Sequence, residues 1–214
     1  MRVAIIDDHY LIVAALAAAL RAEGCDVDVP SLDEDLAARL LATAPQVALL
    51  DLDLGAYGSG EELLPELVAS GCRVLVVSGI SDEAVIGRCI AGGASGWLPK
   101  SASLDQLLAA ILGLAEGREV LSESERDRLL RVWREQREVE SAVLAPFLRL
   151  SPREGVVLGL LMEGRAVDLI AQTSFVSSDT VRTQVRAILT KLGVNSQLEA
   201  VAMAKRAGWF PGAG

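Results

Sequence analysis

VALLDLDLG (47–55) decides how the first half of this chain is read. Four apolar residues in succession fit a strand buried on both faces, and two aspartates follow where that strand should end. A DxD in such a place suits two chemistries. It can be the nucleophile and acid–base pair of a phosphatase, or one phosphate-accepting aspartate beside a neighbour with another task.

Working outward, the same pattern recurs on both sides. VAII (3–6) and RVLVV (73–77) are short β-branched runs, and CDVDV (25–29) and SGWL (95–98) are weaker ones. Between them lie stretches with apolar residues at helical spacing, such as LIVAALAAALRAE and SLDQLLAAILGLAE. Five such β–α repeats predict an α/β fold, a doubly wound parallel sheet with right-handed crossovers over residues 1–117. A charged helical stretch over 118–148 reads as a linker helix in which Leu129, Leu130 and Trp133 can pack on something. From 149 to 214 the chain reads as a small all-α domain.

The chain of 214 residues is long enough for two modest domains, and its longest apolar runs are too short to span a bilayer. The start MRVAIIDDH reaches acids after four apolar residues, so it is read as a strand and not as a signal peptide. Cys25, Cys72 and Cys89 lack metal-ligand spacing and read as buried free thiols in a reducing cytoplasm. Residues 1–117 carry 6 basic and 17 acidic side chains, whereas residues 149–214 carry 8 basic and 5 acidic. A polyanion partner therefore meets the tail.

In a doubly wound sheet, ligands sit beyond the carboxyl ends of the strands. Here the first strand ends in Asp7 and Asp8, the third in Asp51 and the fourth in Ser78, with Lys100 just past the fifth. Strand order 2-1-3-4-5 makes the first and third neighbours, so Asp7, Asp8 and Asp51 converge. Three carboxylates that close repel unless a cation joins them, and hard oxygen ligands favour Mg²⁺. A phosphoryl group on Asp51 would be held by the metal, by Lys100 and by the Ser78 hydroxyl.

In the tail, SPRE (151–154) and SQLE (196–199) read as capping boxes at helix starts. A short helix around VDLIAQT, a turn at SFVS and a helix from about Asp179 to Leu192 lie between them. Val181, Val185, Ile188, Leu189 and Leu192 form an apolar stripe on that last helix and leave Arg182, Thr183, Arg186 and Thr190 on the opposite face. Arginine suits guanine's paired acceptors, and Thr a thymine methyl.

These residues carry a resemblance. IIDDH, LLDLDL, VVSG and GASGWLPKS resemble the receiver domain of bacterial response regulators, flavodoxin-like in fold. LSPRE and LIAQTSFVSSDTVRTQVRAILTKLGV resemble the LuxR-type helix-turn-helix, and the two in this order resemble the NarL/FixJ class. The resemblance implies phosphorylation of Asp51 by a histidine kinase. It also implies Mg²⁺ on Asp8, Asp51 and the Asp53 main-chain carbonyl, with Asp7 acting through water. Trp97, where the family usually has Tyr or Phe, would repack as Ser78 moves toward the phosphate. Base contacts fall at Arg182, Thr183 and Arg186, and phosphate contacts at Gln184 and Lys191, in double-stranded DNA read by a homodimer.

The haloacid dehalogenase-like phosphatases use similar parts, but their DxD belongs on the first strand and theirs is a different chain order. A constitutive DNA-binding protein that uses its receiver only to dimerise is a further alternative. Against the receiver pattern, Gly55 stands where Pro is usual and GAYGSG is one residue longer before the next helix. In the tail, Ser174 replaces an apolar residue before the turn and Gln184 replaces a common His.

Overall fold

Strands β1 (Arg2–Ile6), β2 (Asp26–Asp28), β3 (Val47–Leu50), β4 (Arg73–Ser78) and β5 (Gly96–Pro99) form one parallel sheet in the order β2-β1-β3-β4-β5. The computed structural model describes residues 1–33 and 35–211. It holds two compact units, Met1–Glu135 and the chain from Gln136 onward.

Strand alternation divides the core of the first unit. Val3, Ile5, Leu49, Leu75 and Val77 face α1 (Tyr10–Ala22) and α5 (Leu104–Ala115), where Leu16, Leu20, Leu107 and Ile111 meet them. Ala4, Ile6, Leu50, Val74 and Val76 point the other way, toward α2 (Leu36–Thr43), α3 (Leu64–Ala69) and α4 (Glu83–Ala91). Both faces are covered, which is why these strands read as unbroken apolar runs. The three cysteines are buried and free, and burial pushes the Cys72 and Cys89 thiols up to about 11, so both stay protonated and unreactive near neutrality.

The linker helix α6 (Glu123–Leu144) begins inside the first unit. Leu129 is buried in the α2–α3–α4 core, with Trp133 packed over Gly87 of α4. An added Cβ on Gly87 would stand 2.2 Å from the Leu129 carbonyl oxygen, so only glycine allows the helices to approach this closely. Arg128 of α6 also pairs with Glu83 of α4, an exposed contact of small worth.

The second unit contains α7 (Pro152–Met162), α8 (Val167–Thr173), α9 (Ser178–Leu192) and α10 (Gln197–Arg206). Ser151 and Glu154 form the capping box that SPRE predicts. SQLE forms half of one: Ser196 accepts the Glu199 N–H, but the Glu199 carboxylate takes the N–H of Asn195 instead of Ser196. Phe147 and Trp209 stack at 5.4 Å between ring centroids, closing the core formed by the α9 stripe.

Between α8 and α9, Phe175 has φ +55° and is 96% exposed. A bulky residue in the left-handed region is strained by roughly 1–2 kcal/mol, and here no buried contact offsets it. Phe175→Gly is expected to raise the stability of the second unit by about 1 kcal/mol in urea denaturation. A loss of stability would mean that the ring makes a contact worth more than the strain.

Candidate phosphoacceptor site and nucleic-acid interface

Asp51 follows β3 with 0% of its surface exposed, and the carboxyl ends of β1 and β5 bring Asp7 and Lys100 to it. Lys100 Nζ lies 2.5 Å from Asp51 Oδ2 and 3.2 Å from Asp7 Oδ1. The other Asp51 oxygen, Oδ1, accepts the Asp53 N–H at 3.2 Å. Ser78 is buried at the end of β4, where its Oγ accepts the Ile80 N–H at 3.1 Å and its own proton is left to donate. The sequence thus places all five strand-end residues where the sheet order requires.

Burial raises the Asp51 carboxyl above the ordinary carboxylate range and Asp7 adds to this, while Lys100 and the Asp53 N–H oppose it. For Lys100, burial works against the ammonium, but Asp51 and Asp7 outweigh it and hold the group above its usual value. The site is a charged cluster in which the cation is committed and the anions are in excess.

Among the described residues, Asp7 Oδ2 is buried with no hydrogen-bond partner. One ligand atom each from Asp7, Asp8, His9 and Asp51 lies within 4.8 Å of the others. An orphaned carboxylate oxygen among three acids fits a divalent cation, and the oxygen-rich donor set suits a hard one. His9 went unnoticed in the sequence, although it directly follows the acidic pair. Its Nδ1 lies 2.6 Å from Asp8 Oδ1 and 2.9 Å from Lys100 Nζ, and its N–H donates to Asp7 Oδ1 at 2.8 Å.

The departures at 53–60 have a local cause. Gly55 has φ +60°, which the proline ring, locked near −65°, cannot reach. Its N–H, absent in proline, donates to Asp53 Oδ1 at 3.0 Å, so the second aspartate of DxD closes a turn. A Cβ on Gly55 would meet Asp8 Oδ2 at 2.8 Å, and one on Gly60 would meet the Asp51 carbonyl oxygen at 1.9 Å. The longer loop therefore folds back against Asp8 and the Asp51 backbone together. Trp97 packs at the edge of the α4-side core, and its indole N–H is buried without an acceptor.

On α9, Val181, Val185, Ile188 and Leu192 are buried, and Arg182, Thr183, Arg186 and Thr190 are exposed. Ser177 caps the helix start by accepting the Thr180 N–H at 3.1 Å. Arg182 Nη1 donates to Asp179 Oδ1 at 3.0 Å, and the Thr183 hydroxyl donates back to the Asp179 carbonyl at 2.9 Å. Gln184 is half-buried.

Lys191 is turned inward. Its Nζ donates to Glu154 Oε2 at 2.6 Å. Burial alone would raise the Glu154 carboxyl, but Lys191 and the Ser151 N–H hold it below the usual range. A carboxylate depressed in the folded state adds stability above its unfolded value, and this is lost as pH falls through the folded value. Lys191→Ala is expected to cost the second unit roughly 1–2 kcal/mol at pH 7, discounted for a half-exposed amine. In denaturant melts against pH, that cost should shrink in acid. A pH-independent cost would mean that only the lysine stem matters.

Two family models match the chain: "Response regulator receiver domain" over residues 3–112 and "Bacterial regulatory proteins, luxR family" over 148–204. The chain is 32% identical over 209 residues to the probable transcriptional regulatory protein NarL of Mycobacterium tuberculosis, covering 96% of this chain and 94% of that one. It is 26% identical over 209 residues to the transcriptional regulatory protein DesR of Bacillus subtilis, covering 96% and 97%. RcsB of Salmonella enterica serovar Typhimurium, solved on promoter DNA with a phosphomimetic, superposes with a TM-score of 0.50 at 24% identity over 95% of this chain and 97% of that chain, a likeness of fold. With a receiver domain ahead of a LuxR-family helix-turn-helix and relatives matched along nearly its whole length, the chain belongs to the response regulators of the NarL/FixJ class.

Proposed function

We propose that this response regulator is phosphorylated on Asp51 by a histidine kinase, and that the modification alters its dimerisation and its sequence-specific binding to double-stranded DNA in the cytoplasm. The observation that carries the reading is Lys100 Nζ at 2.5 Å from Asp51 Oδ2, beside the orphaned Asp7 Oδ2. A committed ammonium and a surplus of carboxylate describe a site suited to a divalent cation and one phosphoryl group.

An oxygen of Asp51 forms the new bond to phosphorus as the phosphorus–nitrogen bond of the kinase phosphohistidine breaks, its electron pair staying on the imidazole. Lys100 then balances the phosphoryl charge, and Ser78 turns its hydroxyl toward a phosphoryl oxygen. Asp7, Asp8, Asp51 and the Asp53 carbonyl would hold Mg²⁺, which supplies positive charge to the incoming phosphoryl oxygens. Trp97, with its unsatisfied N–H, is a side chain that gains by repacking when Ser78 moves. The change reaches α6 through α4, which follows Ser78 by the 79–82 loop. In this scheme the unphosphorylated receiver restrains the DNA-binding domain, and phosphorylation releases it.

In the reading helix, Arg182, Thr183 and Arg186 address base edges and Gln184 a phosphate, while Lys191 braces α9 on α7 through Glu154. Arg182→Ala is expected to weaken binding to the preferred site by roughly 1–3 kcal/mol and to relax preference at one base. Footprinting or a systematic site-variant titration, at fixed salt, checks this. A uniform loss on every sequence would remove Arg182 from the base-reading set.

A further inference from the structure

The far end of the sheet holds a second cluster of charge. Arg73 opens β4, whose last residue is Ser78, so it lies roughly 17 Å along the strand from the phosphorylation site. Beside it is a pocket of about 250 Å³ lined by Arg73, by Arg118 from the turn after α5, and by Arg126 from α6, with Leu114 and Leu121 as apolar walls. Glu119 is the single carboxylate among its lining residues.

These guanidiniums are aimed but incompletely used. Arg73 Nη1 donates to the carbonyls of Leu114 and Ala115 at the end of α5, which fixes the side chain without neutralising it. The Arg126 main-chain N–H donates to the Ser122 carbonyl at 3.0 Å, but its guanidinium makes no hydrogen bond or ion pair among the described residues. Arg118 pairs with Glu116, but both are exposed and water competes for the contact. Elsewhere in this unit the carboxylates outnumber the cations, and Arg2, Arg39, Arg88 and Arg128 each sit on an acid. Three guanidiniums around one concavity, on an otherwise acidic unit, need an anion to complete them.

We propose that this pocket binds a compact multivalent oxyanion of the phosphoryl class, distinct from the group on Asp51. The planar fork of arginine matches phosphoryl oxygens in pairs, and three forks from three elements can surround one small anion. The volume lies below that of sites for drug-sized ligands and fits a phosphate or pyrophosphate group without a large body. Bound there, the anion joins β4, the α5–α6 turn and α6. It gives the linker helix a second input, applied at its first turns and independent of phosphorylation.

The test is calorimetric titration of the full chain with pyrophosphate, in metal-free buffer at constant ionic strength. One saturable site per chain is expected. Arg126→Gln and Arg118→Gln should each weaken it at least tenfold, and Lys100→Ala should leave it unchanged. Arg126 has no partner to lose, so its variant keeps the fold, and a thermal melt verifies that. Parallel titration with citrate separates phosphoryl from polycarboxylate recognition. The proposal is overturned if no saturable binding is found, if binding survives Arg126→Gln, if it disappears in Lys100→Ala, or if citrate binds and pyrophosphate does not.

Discussion

Asp51→Asn is expected to take no phosphoryl group from acetyl phosphate with Mg²⁺, and to be more stable than the wild type at neutral pH. The loss of the adduct follows from removing the nucleophilic oxygen of a side chain on which Lys100 and the Asp53 N–H both converge. The gain in stability follows from charge. Burial, reinforced by Asp7, raises the Asp51 carboxyl in the folded chain, so the folded state holds that proton more tightly than the unfolded one. An acid raised in this way costs nothing below its unfolded value, and its cost grows as pH rises until the folded value is passed. Asparagine carries no charge and escapes the cost. The expected advantage is a higher melting temperature at pH 7, and it should fade as pH falls through the folded value. Mg²⁺ should narrow the gap from the other side, because a cation that binds only the folded cluster stabilises the wild type more than the variant. Mass spectrometry for the adduct and melts at several pH values, with and without Mg²⁺, measure each part. Asp53→Asn should still form the adduct, since its carboxylate serves the Gly55 turn. Steady hydrolysis of an aryl phosphate that depended on Asp53 would restore the phosphatase reading.

Most of the candidate site was legible because its information is local. Strands β1, β3 and β4 are apolar runs, and these three and β5 lead into the residues concerned, so sheet order brings Asp7, Asp8, Asp51, Ser78 and Lys100 to one edge. What escaped the sequence depends on partners distant along the chain. Lys191 reads as a phosphate contact from its place on α9, and its pairing with the capping-box carboxylate of Glu154 on α7 is a feature the sequence does not show. The box at SQLE is only half formed, because the Glu199 carboxylate takes the Asn195 N–H. The use of Gly87 shows only when the approaching α6 backbone is known. His9 gives no local signal: its place beside Asp8 and Lys100 shows only once the ends of β1 and β5 are brought together.

Gly87→Ala is expected to detach the start of α6 from the receiver without shortening any core side chain. The new Cβ would stand 2.2 Å from the Leu129 carbonyl oxygen and 2.9 Å from Trp133 Cβ, and since the first of these is backbone, the helix itself has to move. Alanine favours an isolated helix over glycine by about 1 kcal/mol, so a net loss of stability measures the docking against the intrinsic preference. Leu129→Ala sets the scale. Leu129 is 2% exposed in the α4-side core, and removing such a side chain costs roughly 2–5 kcal/mol. Gly87→Ala should approach the lower part of that range, with faster hydrogen exchange confined to residues 123–135 and greater access of quencher to Trp133. A variant that is more stable than the wild type, with exchange unchanged over α6, would show that the helices do not meet at Gly87. The comparison with phosphorylated wild-type protein is the more informative half. Because α4 follows directly on the Ser78 loop, a phosphoryl group that draws Ser78 inward acts on the helix that holds α6. The same rise in α6 exchange in Gly87→Ala without phosphate and in the wild type with it, matched by the same change in DNA affinity, would identify undocking as the step that carries the signal. If phosphorylation leaves α6 protected while DNA affinity changes, the signal passes through a surface other than α4.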